Sequence, residues 1–535
     1  MHCIRSLKTV LSLEPCPRVL LGGTLIDGTG SPPIKDSIVL MKGEYILAAG
    51  KKGSFEIPKG AEVYDVSGMT VVPGFNDSHC HFYGMGIGMI QMVNIRDTPS
   101  LAAALEKIKE RVKTAKKGEW VLGKGYDESK WPENCYITKE DLDKFSEDNP
   151  ILISRICGHL VSLNTRALEI AGITRDTSEP EGGKIDKGAD GEPTGVLRDA
   201  RRLVQPFIPE VSDETAVNGL KIASEFALSL GCTSIQDAGL DAKAIKAYQN
   251  ALENGYLKVR SYLMLNGEAP KHSYGLGLQT GFGNLMVKIG PTKLLMDGSL
   301  GARTAALFEP YVDDPSTKGL LMMSAEELDE KVKSAHNNHS QAAIHAIGDF
   351  GIECVINSIQ AALKEKPRKN HRHRIEHCEI LTASQIERIK ELGIIPAVQP
   401  NFVGEWAGQG SMYEQRLGVE RNKLNNPYRV LLDEGITIAF GSDGMPFNPI
   451  YGVWSAVNHG IKESRINLVE AIKCYTLNSA YASFEEDYKG SIEQGKLADI
   501  AVLDKDLTEI APESIRDTKV YMTIAGGAIL YHKGL

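Results

Sequence analysis

Short apolar runs alternating with helical patterns constrain this 535-residue sequence more than any other feature. Seven lie between residues 232 and 446: "CTSIQDAG" (232–239), "KVRSYLMLN" (258–266), "PTKLLMDG" (291–298), "QAAIHAIGD" (341–349), "HRIEHCE" (373–379), "GIIPAVQP" (393–400) and "GITIAFGSDGMP" (435–446). Runs this short and this apolar read as strands covered on both faces. Between them, "SAEELDEKVKSAHNNH" and "TASQIERIKELG" carry helical periodicity, the second with Thr382 as N-cap and Gly393 beyond its end. With an opening run, "VVPGFNDSHCHFYG" (71–84), the count is eight. Eight βα repeats predict an α/β chain built on a (β/α)8 TIM barrel, although periodicity alone also admits an open doubly wound sheet.

A chain of this length exceeds one core, so further domains are expected. From about Arg18 to Val72, "VLLGGTLIDGTG", "DSIVLMKGEYILAAG" and "AEVYDVSGMTVVPG" are short β-type runs punctuated by Gly, Pro and Asp. The texture returns in "GSIEQGKLADIAVLDKD" and "VYMTIAGGAILYHKGL". Neither piece closes a core alone, so residues 17–72 and 485–535 are expected to form one composite β-sandwich, and 73–82 plus 231–484 the barrel. Residues 83–230 are too long for a βα loop and contain a helix, "SLAAALEKIKERVKTAKKG", and a Gly-rich hairpin, "EGGKIDKGADGEPTGVLRD". They read as an α/β insertion over the C-terminal face, where barrels bind substrate.

The net charge of -9, from 60 basic and 69 acidic residues with no Lys/Arg block, argues against nucleic acid. No apolar run is long enough to span a membrane, and the N-terminal stretch reads as a short extension rather than a presequence. Nine scattered cysteines without C-x-x-C pairs indicate a reducing cytoplasm and no thiolate zinc site.

Polar residues out of keeping with their runs gather at strand ends: His79 and His81 on the first, Lys293 and Asp297 on the fourth, His345 on the fifth, His377 on the sixth and Asp443 on the eighth. Burying such groups alone is costly, so they must be paired or metal-bound. Single readings stay bland: His345 as a core histidine bonded to a carbonyl, Asp443 as a turn cap, Lys293 as an ion-pair partner of Asp297. On strand parity His373 and His377 share a face that Glu376 opposes, and His336 and His339 read as solvent-facing. Asp77 shares the face of His79 and His81 without an evident role. Together, four imidazoles and a carboxylate suit one or two divalent ions such as zinc, which acidify water and polarise a carbonyl. That is hydrolytic chemistry. No Gly-rich nucleotide fingerprint occurs in a strand-to-helix context.

The motifs "PGFNDSHCH" (73–81), "KLLMDGSLGARTA" (293–305), "AIHAIGD" (343–349), "HRIEHCE", "QPNF" (399–402) and "FGSDGMP" (440–446), with "GYDESKWPE" (125–133) and "GHLVSLNTRAL" (158–168) in the insertion, resemble the amidohydrolase superfamily. Within it they resemble amidohydrolase family 3, the branch of YtcJ-like and N-substituted formamide deformylase-like hydrolases. The resemblance implies that His79 and His81 bind the more buried metal, that a carboxylated Lys293 bridges two metals, and that His345 and His377 bind the second. It implies Asp443 as a metal contact and the general base and acid. It also places Trp131 and His159 near the pocket, while Arg303, after strand four, is a candidate for binding a substrate carboxylate or oxygen, or for a structural salt bridge. The expected activity is hydrolysis of a non-peptide carbon–nitrogen bond in a small-molecule amide or N-substituted formamide. Ester or lactone hydrolysis, deamination, or a non-catalytic barrel are the alternatives, and a homodimer is the assembly considered.

Overall fold

The structure, a computed structural model, describes residues 16–534, so most of the expected N-terminal extension lies outside the described residues. The eight apolar runs are strands Phe75–Cys80, Cys232–Leu240, Arg260–Leu265, Val287–Leu295, Ala342–Ala346, Arg374–His377, Ile395–Val398 and Ala439–Phe440. They form one parallel sheet in sequence order. The register sets Leu295 beside His345, and His345 beside Glu376.

Closure between strands eight and one uses two other contacts. The Asp443 N–H donates to His79 O at 2.7 Å, and the Ser442 N–H donates to Asp77 Oδ1 at 2.9 Å. Asp77, buried and also accepting from His79 N at 3.2 Å, thus bridges the seam. Gly441 is needed there because a Cβ would stand 2.5 Å from His79 N. The open doubly wound sheet is thereby excluded.

Local signals behave as expected where the chain punctuates itself. Thr382 caps helix Ala383–Leu392 in a capping box with Gln385, and Gly393 ends it at φ 66°. Ser324 caps helix Ala325–Asn337 through Glu327 N. The sandwich draws on both chain ends: Thr70–Pro73 pairs antiparallel with Ile500–Leu503, and this five-stranded sheet packs on a four-stranded one through Val39, Met41, Val71, Ile500, Val502 and Ile524. Arg260 of barrel strand three clamps Asp499 at 2.6 and 3.1 Å, fastening sandwich to barrel.

Within the long interruption, six strands between Val93 and Arg198 form a separate mixed sheet. The expected helix is Leu101–Thr114, and the hairpin pairs Lys184–Lys187 with Pro193–Arg198. Helices Phe82–Gln91 and Asp213–Ser229, which flank this sheet, belong to the barrel core. They cross where Gly86 meets Gly219, since a Cβ on Gly86 would lie 2.3 Å from Gly219 O. Among the described residues no helix is long and apolar enough to cross a membrane.

Candidate active site at the barrel mouth

Because the strands run parallel and in register, residues at their C-terminal ends meet at one mouth. His79 is fully buried, and its Nδ1 meets Glu376 Oε2, while Arg374 donates to that carboxylate at 2.7 and 2.9 Å. Arg374 also donates to Ser78 O at 2.7 Å and to Gln236 Oε1, so the ion pair ties three strands together. Burial opposes a charge on Glu376, but Arg374 and His79 outweigh it and hold its pKa at about 2. The carboxylate fixes the His79 tautomer with Nε2 facing the mouth, the usual support for a metal-binding imidazole.

His81 ends strand one with its side chain half exposed. Its Nδ1 lies 3.0 Å from Ala238 O and its Nε2 3.1 Å from Asp443 Oδ1. Asp237 receives Phe82 N, Tyr83 N and the Tyr248 hydroxyl at 2.6–2.8 Å, so it anchors the helix that begins directly after His81. His345 Nε2 contacts Gly298 O at 2.9 Å, the carbonyl bond considered from sequence, and this leaves Nδ1 free. The His345 and His377 ring centroids are 4.3 Å apart, and His79 and His377 5.0 Å.

Strand six departs from the parity expected of it, which had set Glu376 opposite the face shared by His373 and His377. Glu376 points inward to His79, whereas His373 faces outward and contacts His336. His377 reaches the interior because its φ is 72°, which turns it off the strand's alternation. His336 is buried at 1% exposure rather than solvent-facing; His339 is exposed. Asp297 does not pair with Lys293. It accepts the N–H groups of Ala306, Ile347 and Gly348 at 2.8–3.0 Å and so pins the loops after strands four and five.

Two buried imidazole nitrogens here, His79 Nε2 and His377 Nδ1, have no hydrogen-bond partner, and the side-chain contacts of Asp443 Oδ1 are with His81 Nε2 at 3.1 Å and His79 Nε2 at 3.6 Å. Ligand atoms of His79, His81 and Asp443 lie within 4.8 Å of one another. Orphaned imidazole nitrogens beside a buried carboxylate suit a borderline divalent cation, so the residues fit a metal. Lys293, 4% exposed, is pushed by burial down to about 8, with Glu376 and Asp443 pulling the other way. Burial opposes the Asp443 carboxylate, yet His81, His79 and Lys293 hold its pKa below the ordinary value.

Of the insertion candidates, His159 lines the cavity at the mouth, its Nδ1 2.5 Å from Asp199 Oδ1. Trp131 does not line it. Its indole donates to Thr98 O at 2.9 Å and stacks on Tyr126 in the insertion's own core. Arg303 also lies outside the cavity wall and pairs with Asp313 at 2.9 Å. Cavity residues not singled out from sequence include Arg155, Glu379, Phe402, Trp406 and Tyr413. Phe402 stacks on His377 with centroids 5.8 Å apart. The insertion motif "GYDESKWPE" could have pointed to Arg155, because its Asp127 and Glu128 hold that guanidinium.

Comparison with known proteins agrees with this geometry. The family model described as the amidohydrolase family (Amidohydro_3) matches residues 62–531. YtcJ of Bacillus subtilis is 34% identical over 95% of this chain and 97% of its own length. The N-substituted formamide deformylase of Arthrobacter pascens is 27% identical over 88% of this chain and 90% of its own. The crystal structure of an uncharacterized metal-dependent hydrolase from Pyrococcus furiosus superposes with a TM-score of 0.72 and 28% identity, covering 93% of this chain and all of that one. A barrel mouth with metal-accepting orphan atoms, on a chain matched almost end to end, places this protein in the amidohydrolase family.

Proposed function

We propose that the protein hydrolyses a non-peptide carbon–nitrogen bond in a small-molecule amide or N-substituted formamide, using one or two divalent metal ions, with zinc the first candidate. The observation that carries the metal is that His79 Nε2 and His377 Nδ1 are buried without a protein partner beside the Asp443 carboxylate, whose Oδ1 is contacted by His81 and His79, themselves candidate ligands. His79, His81, His345, His377 and Asp443 would hold it, with Lys293 as a carbamate where two ions are bound. The bound metal supplies water acidification and carbonyl polarisation. The bond type is supported by the formamide deformylase relative, which shares most of its length with this chain.

The chain's own groups do the rest. Asp443 is aimed by its N–H bond to His79 O and kept ionised by neighbouring cations. It is therefore ready to accept a proton at Oδ1 and return it to a leaving nitrogen. Glu376 and Arg374 keep His79 from rotating, and Phe402 and Trp406 give the cavity an apolar part of its wall. The test is metal analysis of purified protein, followed by rates on N-formyl amines, N-acetyl amines and matched esters. Bound transition metal and turnover of amides over esters is the expected result. Metal-loaded protein that turns over only esters or lactones, or nothing, overturns the reading.

A further inference from the structure

Two buried donors in the cavity, Arg155 Nη1 and the Tyr413 hydroxyl, have no hydrogen-bond partner, and the first belongs to a cation. Arg155 closes insertion strand Ile151–Arg155 and is 1% exposed. Its Nε and Nη2 hold Glu128 at 2.7 and 3.1 Å, and Nη2 reaches Asp127 Oδ1 at 3.3 Å. Nη1 has no hydrogen bond. It faces the cavity wall at Gly301, where a Cβ would stand 2.7 Å from it. A guanidinium N–H sealed from water and left unbonded is unfavourable, and an acceptor brought by a ligand relieves that.

The charges around it restrict what that acceptor is. Two carboxylates already face this one cation, and Asp127 is itself held through Oδ2 by the Trp406 indole at 2.9 Å. A substrate carboxylate would be the third anion on a single guanidinium, in a cavity that also contains Asp443. A neutral oxygen meets no such repulsion. The cavity wall also carries an apolar cluster that includes Phe402, Trp406 and Met445.

Building on the hydrolase reading above, we propose that Arg155 is a specificity-determining residue. Its free Nη1–H binds a neutral carbonyl-type oxygen carried on an aromatic or apolar part of the substrate. The site therefore selects a neutral acceptor over both a carboxylate and an unsubstituted ring. Glu128 and Asp127 are positioning residues, aiming the donor and cancelling its charge.

Three ligands separate these cases: 4-acetamidobenzamide, 4-acetamidobenzoate and acetanilide, titrated by calorimetry into metal-loaded full-length protein and assayed for turnover. The benzamide is expected to bind at least about tenfold more tightly than either of the others, with the difference appearing in KM. In Arg155→Met combined with Glu128→Gln, which leaves only Asp127 as a carboxylate there, still bonded by the Ser129 hydroxyl and the Trp406 indole, the benzamide and acetanilide should converge to within about twofold. Arg155→Lys, which keeps the charge but lacks the fork, should lose the same preference if the double variant fails to fold. Glu128→Gln alone removes one anion and should improve the benzoate relative to wild type. Wild-type preference for the benzoate, equal binding of all three, or a benzamide preference that survives without Arg155 overturns the assignment. Arg155-dependent binding without turnover would sink only the hydrolase reading; turnover without Arg155-dependent selectivity would sink only this one.

Discussion

Lowering the pH should loosen the barrel at a chain of three imidazoles outside the candidate site. His336 Nε2 lies 2.7 Å from Lys366 O and must donate, so His336 Nδ1 accepts from His373 Nε2, 2.9 Å away. His373 Nδ1 then accepts the Ala342 N–H at 2.9 Å. His371 Nδ1 accepts the His373 N–H at 2.9 Å, and its Nε2 donates to Leu392 O at 2.8 Å. Every ring is neutral and every nitrogen has a fixed role. An added proton would set N–H against N–H in a place where the rings are 0–3% exposed and Arg368 lies alongside. Burial pushes His371 down to about 4, and His336 and His373 below the ordinary histidine value.

The sign follows from proton uptake. An unfolded histidine titrates near 6.5, so below that pH the unfolded chain binds protons that the folded cluster refuses. Stability is complete above about pH 6.5 and falls by about 1.4 kcal/mol per pH unit per histidine until the folded pKa is reached. For His371 alone that amounts to about 2 kcal/mol by pH 5 and about 3 kcal/mol by pH 4. Such a loss is a large share of a typical 5–15 kcal/mol. Hydrogen exchange read by mass spectrometry on peptides spanning 336–346, corrected for intrinsic pH dependence, is the direct assay, with urea midpoints alongside. His371→Gln supplies one acceptor and one donor but does not titrate, so its stability should fall by about 2 kcal/mol less between pH 6.5 and 5. Identical pH dependence in wild type and His371→Gln would refute the reasoning.

Other expectations concern the mouth and its supports. Asp443→Asn should retain metal by elemental analysis while losing about 10²- to 10⁴-fold in kcat, because it cannot move a proton. Glu376→Gln removes the anion behind His79 and should weaken metal about 10- to 100-fold in chelator competition. Gly441→Ala drives a Cβ to 2.5 Å from His79 N and should cost roughly 1–3 kcal/mol, seen as a lower thermal midpoint. Arg303→Ala should change stability by less than about 1 kcal/mol and leave kcat/KM intact, since its ion pair is partly exposed and Asp313 keeps Arg416.

The sequence by itself determined the eight strands, the union of the two chain ends and the strand-end side chains of the mouth, while the closure of the strands into a barrel in sequence order was decided by the tertiary structure. The features legible in the sequence rest on local physics: an apolar run bounded by turn residues can only be buried, and a charged or imidazole group at its end must find a partner. Thr382 and Gly393 set a helix's limits for the same local reason. Tertiary structure alone decided what depends on two remote segments meeting. The positive φ of His377 broke the alternation that had put Glu376 on the wrong face. Asp77 acquired its role only when strand eight arrived beside strand one, a separation of 365 residues. His336 became buried because strand six brought His373 against it, and Arg155 entered the cavity because the insertion folds its own sheet over the barrel. Periodicity reports which face a residue prefers, but the partner waiting on that face is set by packing between distant parts of the chain.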